Sequence, residues 1–264
     1  MNEVAEDDRG LLLGDGLFET LRVERGAPVA LRAHLDRLDQ GCQTLGLPSP
    51  ERRRTESAIA AAIAAAGLAH DNAAVRVNWS AGGGGRGLDR PAVLTPRLWC
   101  AATPAPAGLG AARLVTVGVR RNEGSPLSRL KSLAYLDNVL ARAEAQARGA
   151  DEALMLNNRG VLACAAAANL FWIEAGQLFT PALACGVLSG VVRAAVLSAA
   201  AAIGLAAHEI QAWPEALDRA DGVFLTNSLI GLRPVRRLDE RTLPIPALIG
   251  ELAQRCSEVT GRSA

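Results

Sequence analysis

The stretch TPAPAGLG at residues 103–110 divides the amino-acid sequence into two parts. Two prolines and two glycines among these eight residues interrupt any regular helix or strand and are typical of a linker. Segments with strand-like and helix-like patterns lie on both sides of it. We therefore predict an α+β chain of two domains, residues 1–103 and 112–264, joined by a linker at 104–111. The crevice between two such domains is where we expect a ligand to bind.

The periodicity of apolar residues predicts the elements on each side of the linker. Residues 31–45 repeat apolar side chains at intervals of three and four, which predicts a helix that ends at Gly46. Other predicted helices cover residues 51–66, 137–148, 191–202 and 245–259. Predicted strands cover residues 16–24, 73–80, 98–102, 112–119, 152–156, 161–166, 169–174 and 223–226, and residues 81–87 (AGGGGRG) form a loop.

The overall composition excludes several classes of protein. The chain has 264 residues with 28 basic and 27 acidic side chains, so no strong field favours nucleic acid or an anionic membrane. Its apolar stretches at 57–69 and 197–207 are shorter than the roughly 20 residues of a membrane span. The acidic N-terminus lacks the features of a signal peptide, so we expect a soluble cytoplasmic protein with a small-molecule partner. Five widely spaced cysteines and three scattered histidines indicate neither a disulfide framework nor a metal site.

One residue type is nearly absent from the chain. Among the 28 basic residues only Lys131 is a lysine, and all the others are arginines. Arginine keeps its proton, whereas lysine can act as an amine nucleophile when its surroundings lower its pKa. Lys131 is therefore a candidate for a covalent bond to a carbonyl group. Composition alone leaves open the alternative that an arginine-rich chain retained one lysine by chance.

Four further segments could bind anionic groups. Residues 188–193 (LSGVVR) precede a predicted helix, whose first N–H groups could hold a phosphate. Residues 226–228 (TNS) follow an apolar strand, and Arg37 lies on the helix 31–45. Each of these is also consistent with an ordinary cap, turn or solvated surface. The glycine loop matches neither nucleotide-binding motif, so Arg86 within it is better suited to a substrate carboxylate.

Taken together, several segments resemble the class IV pyridoxal-phosphate enzymes. The resemblance extends over about residues 10–235 in the expected order. It rests on the segments 14–23 (GDGLFETLRV), 34–38 (HLDRL), 130–140 (LKSLAYLDNVL), 168–172 (ANLFW) and 180–193, which ends in GVLSGVVR. Within the class, residues 84–87 (GGRG), 168–172 and 226–235 (TNSLIGLRPV) are most similar to aminodeoxychorismate lyases.

This resemblance implies a fold-type IV enzyme, similar to D-amino-acid aminotransferase, that works as a homodimer with pyridoxal 5′-phosphate between its domains. Lys131 would bind the cofactor covalently and move the proton in catalysis. The remaining cofactor residues would be Arg37 and Ser228 with the backbone of Gly190, Val191 and Val192 at the phosphate, together with Cys164, Asn169 and Asn227. Arg86 and Asn227 would lie on the substrate side. The expected reaction converts 4-amino-4-deoxychorismate, a folate precursor, to 4-aminobenzoate and pyruvate.

The sequence departs from the family pattern at three places. Cys164 lies five residues before Asn169, where the family has a glutamate that pairs with the pyridine nitrogen. Without a carboxylate the ring nitrogen stays unprotonated and withdraws electrons less well, which disfavours transamination more than elimination. Ala81 lies where the lyases often have arginine. Only nine residues precede Gly10. We therefore expect either that the family's first strand is missing or that the start codon is misassigned.

Two alternatives to the lyase follow from these observations. One is a class IV aminotransferase for branched-chain or D-amino acids, which shares the same motifs. The other is a non-catalytic protein that binds pyridoxal phosphate, in which Cys164 marks the loss of activity.

Overall fold

The computed structural model describes residues 5–261, which form two compact units. One unit runs to Pro106 and also includes Leu130–Tyr135, whereas the other comprises Ala107–Arg129 and the chain from Leu136 onward. Both units contain helices and strands, so the predicted α+β class is confirmed. The first four residues, on which the expectations about a leader and a first strand rest, lie outside the described part of the chain.

The position of Lys131 corrects one sequence-based expectation. We expected this residue in the C-terminal domain, but residues 130–135 belong to the first unit. The reason is a pair of backbone hydrogen bonds to the strand Gly16–Glu24: Phe18 N donates to Lys131 O at 2.8 Å, and Leu133 N donates to Gly16 O at 2.9 Å. Because these partners are more than 100 residues apart in the sequence, periodicity could not reveal the pairing.

The first unit is a four-stranded antiparallel sheet with helices. Its elements are α1 (Arg9–Leu13), β1 (Gly16–Glu24), β2 (Ala27–Pro28), α2 (Leu31–Leu45), α3 (Arg52–Ala65), β3 (Ala73–Ser80) and β4 (Arg97–Pro104), with strand order β2-β1-β3-β4. Burial alternates over residues 19–24 of β1 and 73–77 of β3, whereas residues 16–19 and 77–80 are all buried. In the alternating part, Leu21, Val75 and Val77 pack with Ile59 of α3. The residues between them lie on the opposite face of the sheet, as the twofold period of a strand requires.

The second unit is built on a nine-stranded mixed sheet. Its strands are β5 (Ala112–Thr116), β6 (Glu152–Leu156), β7 (Leu162–Ala165), β8 (Asn169–Glu174), β9 (Gln177–Pro181), β10 (Ala207–Ile210), β11 (Gly222–Asn227), β12 (Gly231–Leu238) and β13 (Arg241–Thr242). The order is β10-β9-β8-β11-β12-β5-β6-β7, and β13 pairs with β12. The helices are α4 (Leu136–Ala147), α5 (Val191–Ala202) and α6 (Ala247–Thr260), with short 3₁₀ helices at Pro126–Arg129, Leu183–Cys185 and Pro214–Arg219.

Both faces of this sheet are covered, which fixes the central strands in place. On β8, Phe171 and Ile173 pack in the cluster that also contains residues of α5 and α6, whereas Leu170 and Trp172 pack in a separate cluster on the other face. Since β8 is central and paired with β11, its first residue, Asn169, lies directly opposite Thr226. Two polar side chains are thereby held at one end of a rigid strand pair.

Within the described residues, no helix combines the length and apolar character needed to cross a lipid bilayer.

Candidate active site

The candidate site of the first unit is centred on Glu19, a carboxylate buried on β1. Two residues three apart on α2 reach it. Arg37 donates from Nε to Oε1 at 2.8 Å and from Nη2 to Oε2 at 2.6 Å, and Nδ1 of His34 lies 2.7 Å from Oε2. Burial alone would raise the pKa of Glu19, but the charge of Arg37 and the hydrogen bonds from both partners lower it to about 2. Glu19 is therefore ionised throughout the physiological range.

Lys131 lies next to this carboxylate cluster against two aromatic rings. Its Nζ is 4.0 Å from the centroid of the Phe18 ring and 5.3 Å from that of Tyr135. The two rings meet edge to face with centroids 5.1 Å apart. A cation over an aromatic face is stabilised by the ring, but much less than by water. The ammonium is thus held where it has lost most of its hydration.

This environment changes the acidity of the Lys131 amine. Burial is the largest effect and lowers its pKa to about 7; the negative charge of Glu19 opposes this shift, while the positive charges of Arg37 and Arg76 add to it. A large fraction of the amine is therefore unprotonated at neutral pH, and an unprotonated amine is a nucleophile. The chemical role that composition suggested for Lys131 fits the surroundings that the fold gives it.

Arg76 is a residue of this site that sequence reasoning missed. Its guanidinium lies 3.7 Å from the centroid of the Phe18 ring, and Nε donates to Oδ1 of Asn78 at 2.8 Å. The alternation of residues along β3 could have indicated it, because Val75 and Val77 are buried and Arg76, between them, lies on the opposite face of the sheet. Arg76 places a second cation near Lys131.

Arg86 is not brought to Lys131 by any contact in the described residues. It lies exposed in the glycine loop, where its backbone forms a two-way bridge with Asp89. The loop is held by the buried Arg9, whose guanidinium pairs with Asp15 at 2.9 Å. The same guanidinium donates to the carbonyl oxygens of Gly84, Gly87, Leu88 and Asp89 at 3.0–3.4 Å. The glycine loop, which the composition predicted to be irregular, is therefore held in place by hydrogen bonds from Arg9.

A second candidate site lies in the second unit, at the start of α5. Gly190 is the N-cap residue and has no side chain to bind the first N–H groups, so those of Val191 and Val192 are open to an external acceptor. Asn169 holds this turn, since its Nδ2 donates to Leu188 O at 2.9 Å. A Cβ at position 190 would lie only 2.0 Å from Asn169 Oδ1. The contact requires glycine and brings the backbone close to Asn169.

The hydroxyl of Thr226 is an unused polar group near this second candidate site. Within the described residues, its Oγ1 is buried and has no hydrogen-bond partner. Leaving a buried hydroxyl unpaired costs free energy that a ligand oxygen could recover. Thr226 lies opposite Asn169 across the β8–β11 pair, so this hydroxyl belongs to the same end of the sheet.

Asn227 and Ser228, both predicted ligand residues, follow at the end of β11. The Asn227 side chain organises the turn: its Oδ1 accepts from the N–H groups of Leu229 and Ile230, both at 2.9 Å, and its Nδ2 donates to Ala167 O at 2.9 Å. These three bonds give Asn227 a structural role and leave one N–H of Nδ2 available. Ser228 is half-buried in the turn that Asn227 shapes.

Cys164 lies on β7 among small apolar side chains. It packs in a cluster with Val161, Ala163, Cys185 and Val187. Burial raises the pKa of its thiol, and the positive charge of Arg121 only partly opposes this. The nearby carboxylate of Glu152 is already engaged by Arg142 at 3.0 Å and by its neighbour's N–H at 2.9 Å. Position 164 therefore presents a neutral thiol and no carboxylate.

Comparison with known proteins identifies the family of the chain. The family model for class IV amino-transferases matches residues 16–238. Aminodeoxychorismate lyase of Bacillus subtilis is 30% identical over 236 residues, 88% of this chain and 80% of that protein. A branched-chain-amino-acid aminotransferase of Pseudomonas aeruginosa is also 30% identical, over 244 residues, 87% of this chain and 78% of that protein.

A solved structure gives the same result for the fold. The crystal structure of 4-amino-4-deoxychorismate lyase from Pseudomonas aeruginosa superposes with a TM-score of 0.87 at 35% identity, covering 98% of this chain and 96% of that one. The expected fold-type IV architecture is thereby confirmed. The chain belongs to the class IV aminotransferase family, whose members depend on pyridoxal phosphate.

Proposed function

We propose that this chain is a lyase that converts 4-amino-4-deoxychorismate to 4-aminobenzoate and pyruvate. The observation that carries the proposal is the neutral, buried thiol of Cys164 at the position where the resemblance expects a carboxylate against the pyridine nitrogen. The two relatives of equal identity, one a lyase and one an aminotransferase, support the family and leave this choice to the chemistry.

The residues of both units suit the cofactor of this family. Pyridoxal phosphate, when bound, supplies an aldehyde that condenses with amines and a ring that withdraws electrons. Lys131 offers an amine with a pKa of about 7 to the aldehyde. A phosphate dianion needs several donors that point to one place. Suitable donors are the N–H groups of Val191 and Val192, which no side chain caps, and the Thr226 hydroxyl, which has no hydrogen-bond partner within the described residues. Arg37 is a weaker candidate for the phosphate, because Glu19 already binds two of its donor groups.

In the proposed reaction Lys131 moves protons at Nζ. It takes the proton from the substrate ring carbon that bears nitrogen and delivers one towards the leaving enolpyruvyl group. Arg76, beside Lys131, is the cation best placed to attract a substrate carboxylate. Formation of an aromatic product supplies driving force, so the reaction does not require a protonated pyridine ring. An aminotransferase has no such product and depends more on electron withdrawal by the cofactor.

A direct assay of both reactions tests the proposal. Purified protein loaded with pyridoxal phosphate is given 4-amino-4-deoxychorismate, and separately L-leucine or D-alanine with a keto acid. We expect 4-aminobenzoate and pyruvate in equal amounts from the first, and no turnover in a Lys131→Ala variant. A new keto acid from an amino acid, without 4-aminobenzoate, would establish the aminotransferase instead. Covalent capture of the cofactor without either product would establish the non-catalytic alternative.

A carboxylate at position 164 should change the balance between the two reactions. In Cys164→Glu the new carboxylate would lie within the field of Arg121, which keeps it ionised and able to hold a proton on a pyridine nitrogen. We expect the half-reaction with an amino acid to accelerate about tenfold or more while lyase turnover changes much less. Cys164→Ser is the matched control, since it alters the thiol without adding charge. Equal effects of the two substitutions in stopped-flow measurements would contradict this role of position 164.

The acidity of Lys131 predicts a pH dependence. An amine with a lowered pKa is charged below it and neutral above it, so capture of pyridoxal phosphate by the cofactor-free protein should accelerate as the pH rises through about 7 and then level off. Arg76→Gln removes a nearby positive charge and should move the midpoint upward. The capture rate is followed by the absorbance of the lysine-bound cofactor. A midpoint near that of an ordinary lysine, with no response to Arg76→Gln, would refute the assignment.

We also propose that the enzyme is a homodimer. Each unit displays large exposed apolar side chains: Leu11, Leu12, Leu88 and Val93 on the first, and Leu136, Val139 and Leu140 on the second. Such groups on a folded surface are typical of interfaces. Light scattering should give twice the 27.5 kDa chain mass, and Val139→Glu with Leu140→Glu should reduce it, unlike Leu109→Glu on a separate exposed loop. A wild-type mass of one chain would exclude the dimer.

A further inference from the structure

Arg121 carries a buried positive charge without a carboxylate partner. Its residue is 8% exposed, and among the described residues no carboxylate lies within ion-pair distance of its guanidinium. The guanidinium instead donates to three neutral oxygens: from Nε to Gly186 O at 3.3 Å, from Nη1 to Asn138 Oδ1 at 3.0 Å and from Nη2 to Ser128 O at 2.6 Å. A buried charge that is stabilised only by dipoles is costly, so its hydrogen-bond geometry must be accurate.

The backbone of Arg121 is fixed as firmly as its side chain. Its N–H donates to Leu156 O at 2.9 Å, and its carbonyl accepts from Asn158 N at 3.2 Å. These bonds attach the residue to the end of β6, in the interior of the second unit. The guanidinium therefore projects from a rigid base, and the segments that it contacts are held relative to that base.

Two of the three acceptors border the segment that carries Lys131. The chain leaves the second unit after Arg129 and returns to it at Leu136. Ser128 lies just before this segment, residues 130–135, and Asn138 lies just after it. One guanidinium thus binds residues on both sides of the segment 130–135 through its two terminal nitrogens.

The other contacts reach the residues predicted to bind the cofactor. Gly186 begins the turn that leads to Gly190 and α5. Asn138 connects Arg121 to a further segment, because its Nδ2 donates to Ala166 O at 2.7 Å. Ala166 lies between Cys164 and Asn169 in the sequence. Each segment of the second unit that holds a predicted cofactor residue before α5 is therefore connected to Arg121.

We propose that Arg121 is a positioning residue, which aligns the two ends of the Lys131 segment with the turn before α5. The inference rests on the proposed function, because it assumes that Lys131 and this turn act on the same cofactor. A lysine at position 121 would keep the charge but has no planar fork of donors to reach three fixed oxygens. The geometry of the guanidinium, and not the charge alone, is what the role requires.

The test compares Arg121→Lys with Arg233→Lys. Arg233 is a second arginine of the same unit, largely buried, that donates to Gly110 O at 2.8 Å and lies 3.3 Å from Asp151. Within the described part of the chain, its side chain makes no hydrogen bond or ion pair to a predicted site residue. For Arg121→Lys we expect pyridoxal phosphate to bind about tenfold or more weakly. We also expect the pH midpoint of its capture by Lys131 to rise, because a loosened segment lets water reach the ammonium. Arg233→Lys should lower the melting temperature and leave both quantities unchanged.

Asn138→Ala provides a second measurement that retains the guanidinium. It removes one acceptor and the link to Ala166, so we expect the same upward shift of the pH midpoint with a smaller loss of affinity. If Arg121→Lys does not fold, this variant decides the question. An unchanged midpoint in Asn138→Ala, or in a folded Arg121→Lys, would overturn the inference.

The two proposals can fail separately in these experiments. Capture of the cofactor by Lys131 does not require turnover, so an Arg121 effect on capture in a protein without lyase activity would retain the inference and reject the proposed function. Normal capture of the cofactor by the Arg121→Lys variant, in a protein with lyase activity, would reject the inference and retain the proposed function.

Discussion

The candidate site depends on removing water from a single amine without removing its ability to react. Phe18 and Tyr135 lie against the Lys131 amine, and burial lowers its pKa to about 7. The negative charge of Glu19, which is bound by His34 and Arg37, opposes this shift of the pKa, whereas the positive charges of Arg37 and Arg76 add to it. The surroundings thus keep Lys131 near the midpoint of its titration, where it can both accept and donate a proton.

The two units contribute different chemistry to the proposed enzyme. The first supplies ionisable side chains around Lys131, whereas the second supplies backbone N–H groups at the start of α5 and the buried hydroxyl of Thr226. Backbone donors carry no net charge and stay fixed, which suits the permanently anionic end of a cofactor. Side-chain donors and acceptors can change protonation, which suits a reacting centre. The neutral thiol of Cys164 fits this division, because it leaves proton movement to Lys131.

Much of the fold and part of the site follow from the sequence. The apolar period located α2 and α5 at their observed bounds, and the uniqueness of Lys131 singled out an amine whose pKa the fold lowers. The short elements Arg9–Leu13, Gln177–Pro181 and Ala207–Ile210 were not predicted. Glu19, Arg76 and Arg121 were also missed. Their surroundings come from residues far apart in the sequence, which only the folded chain brings together.

The most direct test of the account is to locate the cofactor on the chain. One sample of the folded protein and one sample in denaturant are each mixed with pyridoxal phosphate and reduced with borohydride. The labelled peptides are then identified by mass spectrometry. We predict stoichiometric labelling of Lys131 in the folded protein at neutral pH and little labelling after unfolding, because an exposed lysine regains its ordinary pKa. Labelling of Lys131 that is absent in the folded protein, or equal in both states, would contradict the claim that the fold activates this amine.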